Sequence, residues 1–293
     1  MVIFKMTKEA AKTAMGPTFT IAVEQSFPEE QRIMKDELAY PILPMSYRLM
    51  VKLFSIKFVR HWLISTSETS TPGLWSGLML RKLYIKDKID NSISEIGQVV
   101  NLGAGYDTTA YTLHSLANTP VWELDQNEVM ETKAQRIETT LGELPEHVKL
   151  VAVDFDHDNI GQTLKNQGYS DEVPTFFILE GVTQYMDEES VKKMFTFLSN
   201  AKTGSKLVFT YVLREFIEGV EMYEMKELYK KYVFPKIWKF GLFTQDCREF
   251  VEDYGWKLIE DVEADDINDE YIKPNNRGLR TTNLERIVYA EKL

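Results

Sequence analysis

The stretch that decides the fold is Val99-Val100-Asn101-Leu102-Gly103-Ala104-Gly105-Tyr106-Asp107, and a second stretch, Pro120-Val121-Trp122-Glu123-Leu124-Asp125, follows it. The pattern predicts a strand, a tight glycine turn, a helix and a second strand that ends in carboxylates. In this order the elements build a crevice at the carboxyl ends of parallel strands. Glycines there let a ligand approach the backbone, and an acid can accept hydrogen bonds from ribose hydroxyls. The sequence predicts a nucleoside site, and the alternative is a tight turn without a ligand.

The third position of the glycine motif indicates which nucleoside cofactor fits. A dinucleotide fingerprint needs glycine or alanine there, so that a helix N-terminus can hold a pyrophosphate, and this chain has Thr108. NAD is therefore disfavoured. A short Gly-Ala-Gly turn followed by Asp107 suits a ligand without phosphates, such as S-adenosylmethionine. Its sulfonium and ammonium groups are cationic and favour nearby carboxylates.

Composition excludes several classes of protein. The 293 residues include 34 Lys and Arg against 45 Asp and Glu, a net charge of -11, which argues against a nucleic-acid partner. Cys247 is the single cysteine, and no Cys/His cluster has metal-ligand spacing, so we expect neither a disulfide nor a metal site. We expect a cytoplasmic protein, and the sequence gives no oligomeric state.

The longest apolar stretch covers residues 49–64 and contains Lys52, Lys57, Arg60 and His61. These charges prevent it from spanning a bilayer. As a cationic amphipathic segment it is able to lie on an anionic membrane surface, but packing on its own domain is the preferred interpretation, without a membrane partner.

The hydrophobic pattern divides the chain in two. Residues 1–95 show helical periodicity interrupted by prolines, which predicts an N-terminal helical cap. From residue 96 to 293, short β-branched runs alternate with helical segments, which is typical of α/β folds. The predicted strands are 98–102, 120–125, 148–153, 175–180, 206–212, 255–262 and 284–291. The segment 263–280 shows no evident helix, so a direct return would make the last strand antiparallel.

A long segment between the fifth and sixth strands, residues 214–246, is rich in aromatic and methionine side chains. Most of these side chains are expected in the core. Because the segment leaves the carboxyl end of a strand, it is also predicted to form a helical lid over the substrate. Tyr223, Tyr229 and Trp238 are the candidates to line an apolar substrate pocket.

Four motifs in order carry a resemblance to a known family. They are Gln98-Val99-Val100-Asn101-Leu102-Gly103-Ala104-Gly105-Tyr106-Asp107-Thr108, Trp122-Glu123-Leu124-Asp125, Asp154-Phe155 and Phe177-Ile178-Leu179-Glu180-Gly181-Val182-Thr183-Gln184-Tyr185-Met186. The chain resembles the leucine carboxyl methyltransferase family, which includes tetracenomycin-type polyketide O-methyltransferases, from about residue 78 to 186 and more loosely beyond. The resemblance implies an S-adenosylmethionine-dependent enzyme that releases S-adenosylhomocysteine. It also implies a seven-stranded, mostly parallel, Rossmann-like class I methyltransferase sheet with helices on both faces.

The resemblance implies a set of cofactor contacts. They are Arg81, Gly103, Ala104, Gly105, Asp107, Glu123, Asp125, Asp154, Phe155, Glu180 and Tyr185. Arg81 stands where the family has an arginine that holds the methionine carboxylate, a role that suits a guanidinium fork. Asp125 matches the ribose-binding acid, and strand alternation sends Glu123 to the same face.

The later motifs imply contacts with the two ends of the cofactor. Asp154 matches the acid near the adenine amino group, and Phe155 supplies a backbone or stacking contact. Glu180 matches the acid near the amino-acid end, and Tyr185 matches the tyrosine that closes its motif. Burying a carboxylate such as Glu180 without a partner is costly, which favours a functional role. The alternatives are a solvated helix arginine at Arg81 and an exposed strand-end aspartate at Asp154.

The chain departs from the family pattern in two places. Thr109 and Thr112 stand where many members carry arginines, although threonine at the first position occurs in the eukaryotic phosphatase-methylating branch. The basic residue that many members place near the cofactor from the N-terminus has no matched counterpart in this chain, and Lys12 is a candidate for it.

The implied chemistry needs little from acids, bases or metals, because the sulfonium leaving group is already excellent. Holding the acceptor and excluding water supply most of the acceleration. None of the four histidines occupies a position that the family supports as catalytic, so no catalytic residue is assigned. We expect O-methylation of a carboxyl or hydroxyl group on a small molecule. The alternatives are methylation of a protein C-terminal carboxylate and a non-catalytic nucleoside-binding protein.

Overall fold

Seven strands form one mixed sheet in the computed structural model, which describes residues 14–275 and 277–293. The strands are β1 Gln98–Leu102, β2 Val121–Asp125, β3 Val148–Ala152, β4 Thr175–Leu179, β5 Lys206–Val212, β6 Trp256–Glu263 and β7 Glu285–Lys292. Their order is β3-β2-β1-β4-β5-β7-β6, and β7 runs antiparallel to both of its neighbours. The predicted fold class is confirmed. Lys12 lies outside the described residues.

The strand order reverses at β1, which pairs in parallel with β2 on one side and β4 on the other. Val99 lies opposite Val121 in β2 and Phe176 in β4. A reversal of this kind leaves a crevice outside the carboxyl ends of the strands, because the following helices pack on opposite faces. The first glycine turn opens into this crevice.

Helices cover both faces of the sheet. They are α1 Met15–Glu24, α2 Met45–Phe54, α3 Lys57–Ser70, α4 Leu74–Ser92, α5 Thr109–Thr112, α6 Asn127–Leu141, α7 Ile160–Asn166, α8 Glu188–Leu198, α9 Arg214–Ile217, α10 Lys226–Leu228, α11 Cys247–Glu252 and α12 Ala264–Tyr271. Among the described residues, no helix combines the length and the apolar composition that crossing a bilayer requires.

Alternate strand residues enter two separate cores, as the pleat of a strand requires. Val100 packs on one face with residues of α8 and α11, such as Phe195 and Val251. Val99 packs on the other face with residues of the N-terminal helices, such as Met79 of α4. The N-terminal helices therefore share a core with the sheet. The division of the chain at residues 95 and 96 stays a prediction.

The segment after β6 corrects one sequence-based expectation. Residues 263–280 were expected to lack a helix, and α12 begins there at Ala264. A capping box explains the start: the Glu263 side chain accepts from the backbone of Asp266, whose own side chain accepts from the backbone of Glu263. Ala264 and Ile272 are buried at the two ends of this helical segment. The acidic composition hid a helix with only a few apolar anchors.

Candidate functional site

A cavity of about 400 Å³ lies at the carboxyl ends of β1, β2 and β4. The glycine turn and Glu180 form one side of it, Phe19 of α1 lies on another, and Tyr232 and Trp238 of the lid segment, residues 214–246, line a third. Its volume falls within the usual range for small-molecule sites, roughly 300–1,000 Å³. The crevice predicted from the sequence thus becomes a bounded pocket.

The glycine turn brings backbone to the cavity in a way that side chains would obstruct. Gly103 has a φ of +76°, and a Cβ added there would lie 2.3 Å from Cγ2 of Val182. The N–H groups of Gly103 and Ala104 donate to the carbonyl of Leu124 over 2.8 and 2.9 Å. These bonds fasten the turn to the end of β2. Glycine is required at Gly103 both for conformation and for space.

Asp125 closes the turn from the end of β2. Its two carboxylate oxygens accept from the backbone N–H of Gly105 at 2.8 Å and of Gln126 at 2.7 Å. Burial raises the pKa of Asp125, while these two hydrogen bonds act in the opposite direction. Each oxygen keeps a second lone pair, so the side chain can still accept a bond from a hydroxyl in the cavity.

A charged cluster occupies the floor of the cavity. Arg81 of α4 donates from Nε to Glu180 at 2.7 Å and from Nη1 to both oxygens of Glu285 at 3.0 and 2.7 Å. The Nζ of Lys82 lies 2.6 Å from Glu180 and 3.0 Å from Asp107. The Arg81, Lys82, Glu180 and Asp107 side chains are less than one-tenth exposed. The five residues Arg81, Lys82, Asp107, Glu180 and Glu285 are the charged cluster below.

Arg81, Lys82 and Asp107 keep their charges in spite of burial. Burial would lower the pKa of Arg81 and of Lys82, but the carboxylates of the cluster outweigh it and raise both values. Burial would raise the pKa of Asp107, but Lys82 and the nearby Lys133 hold it well below its usual range. Two cations and three carboxylates leave one net negative charge.

That charge and the glycine cradle fit a particular ligand. The amino-acid end of S-adenosylmethionine with its sulfonium carries one net positive charge, opposite to the cluster. The glycine turn lines the cavity, a Cβ at Gly103 would clash with Val182, and the N–H of Gly105 in the same turn donates to Asp125. The donor set therefore suits a cationic nucleoside without phosphates. No grouping of three or more His, Cys, Asp and Glu side chains in the described part of the chain is suited to a metal ion.

Two members of the charged cluster escaped the sequence analysis. Lys82 directly follows Arg81, but one helix arginine followed by a lysine is also an ordinary solvated pair. Glu285 begins β7, 204 residues after Arg81. No local pattern connects positions so far apart, so Glu285 is visible only in three dimensions.

Three of the predicted cofactor residues do not line the cavity. Glu123 is wholly buried, with Oε2 2.8 Å from Nζ of Lys133 and accepting from the Tyr111 hydroxyl at 2.8 Å. Glu123 shares a face of the strand with Asp125, as predicted. It lies two residues before Asp125 in β2 and is therefore below the end of the strand. Burial raises its pKa although Lys133 opposes this. Its placement is that of a structural ion pair.

Asp154 and Phe155 also lie away from the cavity. The Asp154 carboxylate is half exposed and lies 3.1 Å from Nδ1 of His157. The Phe155 ring is buried in the core on one face of the sheet. Their contact with adenine stays a prediction. The other predicted residues, Arg81, Gly103, Ala104, Gly105, Asp107, Asp125, Glu180 and Tyr185, all line the cavity.

Three side chains of the lid segment were candidates to line the substrate pocket, and one of them lines the cavity. Trp238 lines the cavity and stacks on Tyr232, with ring centroids 5.1 Å apart. Tyr229 instead packs edge-on against Phe216, and Tyr223 has a φ of +47° and lies at the margin of the core. The helical phase was unpredictable because α10 is only three residues long and continues into a π-helical turn, Tyr229–Val233.

Two buried polar atoms at the cavity lining have no hydrogen-bond partner among residues 14–275 and 277–293. They are Nε1 of Trp238, a donor, and Oε1 of Gln184, an acceptor. The carbonyl of Gln184 meanwhile accepts from the backbone of Lys239 at 2.7 Å, which ties the lid segment to the turn after β4. Unsatisfied buried groups are costly. At a cavity wall they are available to a ligand.

Comparison with known proteins identifies the family to which the chain belongs. The family model for leucine carboxyl methyltransferases matches residues 14–199, which include α1, the glycine turn and Glu180. The chain belongs to the leucine carboxyl methyltransferase family. Similar proteins named for S-adenosyl-L-methionine-dependent methyl transfer occur in Mycobacteroides abscessus and Bacillus subtilis. The first is 28% identical over 75% of this chain and 73% of its own, and the second is 25% identical over 80% and 76%.

Solved structures agree on the fold. A methyltransferase-named protein from Thermobifida fusca aligns with a TM-score of 0.58 at 13% identity, over 80% of this chain and 88% of its own. A DUF574 family protein from Streptomyces avermitilis aligns with a TM-score of 0.56 at 15% identity, over 92% and 100%. For this member of the leucine carboxyl methyltransferase family, the predictions of a methyltransferase enzyme and of S-adenosylmethionine as cofactor are confirmed. The non-catalytic alternative is thereby set aside.

Proposed function

We propose that this enzyme methylates a carboxyl or hydroxyl oxygen of a small, largely apolar molecule. The observation that carries the proposal is the composition of one cavity. Its lining includes both the charged cluster and the stacked rings of Tyr232 and Trp238. A cationic nucleoside suits the first part and an apolar acceptor suits the second.

The chain's own residues divide the work of holding the cofactor. Arg81 and Lys82 are the groups able to bind its carboxylate, since a guanidinium fork and an ammonium favour that partner. Glu180 and Asp107 balance its ammonium, and Asp125 accepts from ribose hydroxyls. Because Arg81 is already paired with Glu180 and Glu285, cofactor binding exchanges partners within a cluster that is already built.

The lid side supplies recognition of the acceptor. Tyr232 and Leu228 offer apolar surface, and the unpartnered Nε1 of Trp238 is a donor for one acceptor oxygen. Such a bond would orient the second oxygen of a carboxylate toward the reacting methyl group. Tyr185 packs edge-on against Trp238, with centroids 6.2 Å apart, and keeps that indole in place.

The cofactor, when bound, supplies a methyl group that is already activated. The chain's residues position the acceptor oxygen and exclude water, as α1 and the lid segment do around the cavity. No histidine is found among the described residues that line the cavity. A carboxylate acceptor is already ionised and needs no base, which favours it over a hydroxyl. We assign no catalytic residue.

Incubation with methyl-labelled S-adenosylmethionine and a panel of aromatic and aliphatic acids and phenols tests the proposal. We expect label to enter an acid and to be released by mild base, because a methyl ester hydrolyses and a methyl ether does not. Trp238→Phe keeps the ring but removes the donor, so kcat/KM falls about three- to tenfold, mainly through KM. The control Trp62→Phe changes an exposed indole and leaves kcat/KM unchanged.

The alternative from the sequence, a protein C-terminal carboxylate, gives a different outcome. Label would then enter a polypeptide and no member of the small-molecule panel, and Trp238→Phe would have no effect on small acids. The aromatic rings of Tyr232 and Trp238 in the lining of a cavity of about 400 Å³ support the small acceptor instead. The absence of a nucleic-acid partner and the cytoplasmic location expected from the sequence stay predictions.

A further inference from the structure

The outer surface of α2 and α3 is unusually apolar. Seven of the twelve large apolar side chains that are exposed in the described part of the chain fall between residues 45 and 62. These seven residues, which form the apolar patch, are Met45, Leu49, Met50, Leu53, Ile56, Phe58 and Trp62. Phe58 is 76% exposed and Trp62 is 60% exposed. A concentration of this kind marks an interaction surface, whereas single exposed apolar residues do not.

Packing among the described residues does not use this patch. α2 buries Val51 and Phe54, and α3 buries Arg60 and Ile64. Phe58 and Trp62 lie one turn apart on α3 and form a stripe of their own. The expectation that residues 49–64 pack on their own domain is met on one side of each helix. The other side remains uncovered.

The charge of this region is opposite to that of the whole chain. Residues 38–67 contain no Asp or Glu, although the chain has 45 of them and a net charge of -11. Lys52 and Lys57 are exposed, and no carboxylate in the described chain forms a salt bridge with either. Arg60 is buried, and its Nη1 donates to the carbonyls of Ser26 and Ser55. The exposed cations thus stand beside the apolar patch.

The two helices also form the outer layer above the cavity. The Phe19 ring of α1 lines the cavity, and it packs edge-on against Tyr47 and Phe54 of α2, with centroids 5.7 and 6.0 Å apart. α2 and the Phe19 ring of α1 therefore lie between the outer face of α2 and the cavity.

We infer that α2 and α3 dock the enzyme on an anionic phospholipid surface, with the apolar patch at the boundary between headgroups and acyl chains. Trp, Phe and Leu on one face and lysines at its margin are the combination that holds amphipathic helices in that plane. A second copy is a poorer occupant. A two-fold contact through this face would bring Lys52 and Lys57 of both copies together, with no carboxylate in residues 38–67 to pair with them. The docking does not depend on methyl transfer.

Tryptophan fluorescence reports this contact selectively. Trp62 is 60% exposed, whereas each of the other four tryptophans is at most 9% exposed. Vesicles of phosphatidylcholine and phosphatidylglycerol in equal parts should shift the emission of the full chain to the blue and carry the protein in flotation. Trp62→Phe should abolish the shift while flotation persists. Vesicles of phosphatidylcholine alone should bind much less protein.

Variants separate the two components of binding. Lys52→Gln with Lys57→Gln should weaken partitioning about 30-fold, and added salt should have the same effect on the parent. Phe58→Ser with Trp62→Ser should abolish flotation. The matched control is Phe234→Ser, which removes an 80% exposed ring elsewhere and should float like the parent. All these side chains are exposed, so thermal unfolding should stay near that of the parent.

The inference is overturned by any of three results. The first is failure of the parent to bind anionic vesicles. The second is equal flotation of the parent and the double variants at Lys52 with Lys57 and at Phe58 with Trp62. In the third, light scattering finds a dimer of the parent that Phe58→Ser with Trp62→Ser converts to a monomer, without vesicle binding by either. That last result would assign the patch to an interface between two copies.

Discussion

Arg81 is the residue through which the charged cluster acts. Its Nε and Nη1 contact Glu180, just after β4, and Glu285, at the start of β7, which lie far apart in the sequence. The sequence singled it out through one family position, and the structure shows why an arginine stands there. Only a fork of donors can serve two carboxylates and still offer a nitrogen to a third.

Replacement of Arg81 by lysine tests this role without removing charge. Arg81→Lys keeps the buried cation but loses the fork, so binding of S-adenosylhomocysteine should weaken about tenfold by calorimetry. Arg286→Lys is the matched control, because Arg286 is also a little-exposed arginine between two carboxylates, Asp261 and Glu263. Its binding should stay within about twofold of the parent. Equal losses in both variants would count against a cofactor role for Arg81.

At the scale of elements, the strands were predictable and the shorter helices were not. The glycine turn and the alternation at Val99 and Val100 follow from local patterns, and the strand bounds differ by one residue at most. The last strand is antiparallel as expected, although the expectation assumed a segment without a helix and α12 lies there. α12 and the lid segment depend on a few contacts each, such as the capping box at Glu263. The site follows the same division. Residues at strand ends were predictable, but Glu285 and Tyr232 come from distant segments without a motif.

The glycine turn offers a test of the element that starts the site. Gly103→Ala meets two penalties, a positive φ and a Cβ only 2.3 Å from Val182. Gly204→Ala meets the first alone, because its φ is +86° and nothing lies within 4 Å of an added Cβ. Denaturation should show a loss of about 1 kcal/mol for Gly204→Ala and about 1–3 kcal/mol more for Gly103→Ala. Equal losses would mean that Val182 does not confine the turn.

At the scale of the whole molecule, two surfaces have separate proposed roles, one in binding the cofactor and one in docking. The crevice at the carboxyl ends of β1, β2 and β4 holds the charged cluster, and the helices outside it carry the apolar patch. The N-terminal helices connect the crevice and the apolar patch. Met79 of α4 packs on the sheet, and Phe19 of α1 packs against Tyr47 of α2. The apolar patch lies within one stretch, residues 45–62, whereas the charged cluster could not be assembled from any single stretch of sequence. The charged cluster alone takes residues from four elements or turns between Arg81 and Glu285.

The central claim is that this cavity takes an adenosine cofactor that carries an amino-acid group and no phosphates. Calorimetric titration of the full chain with S-adenosylhomocysteine and, separately, with NAD tests it most directly. The glycine turn has Thr108 where a dinucleotide fingerprint needs glycine or alanine. The charged cluster is net negative, so both features disfavour binding of a pyrophosphate. We predict that S-adenosylhomocysteine saturates one site per chain and that NAD gives no binding heat. Binding of NAD with comparable affinity would contradict the account.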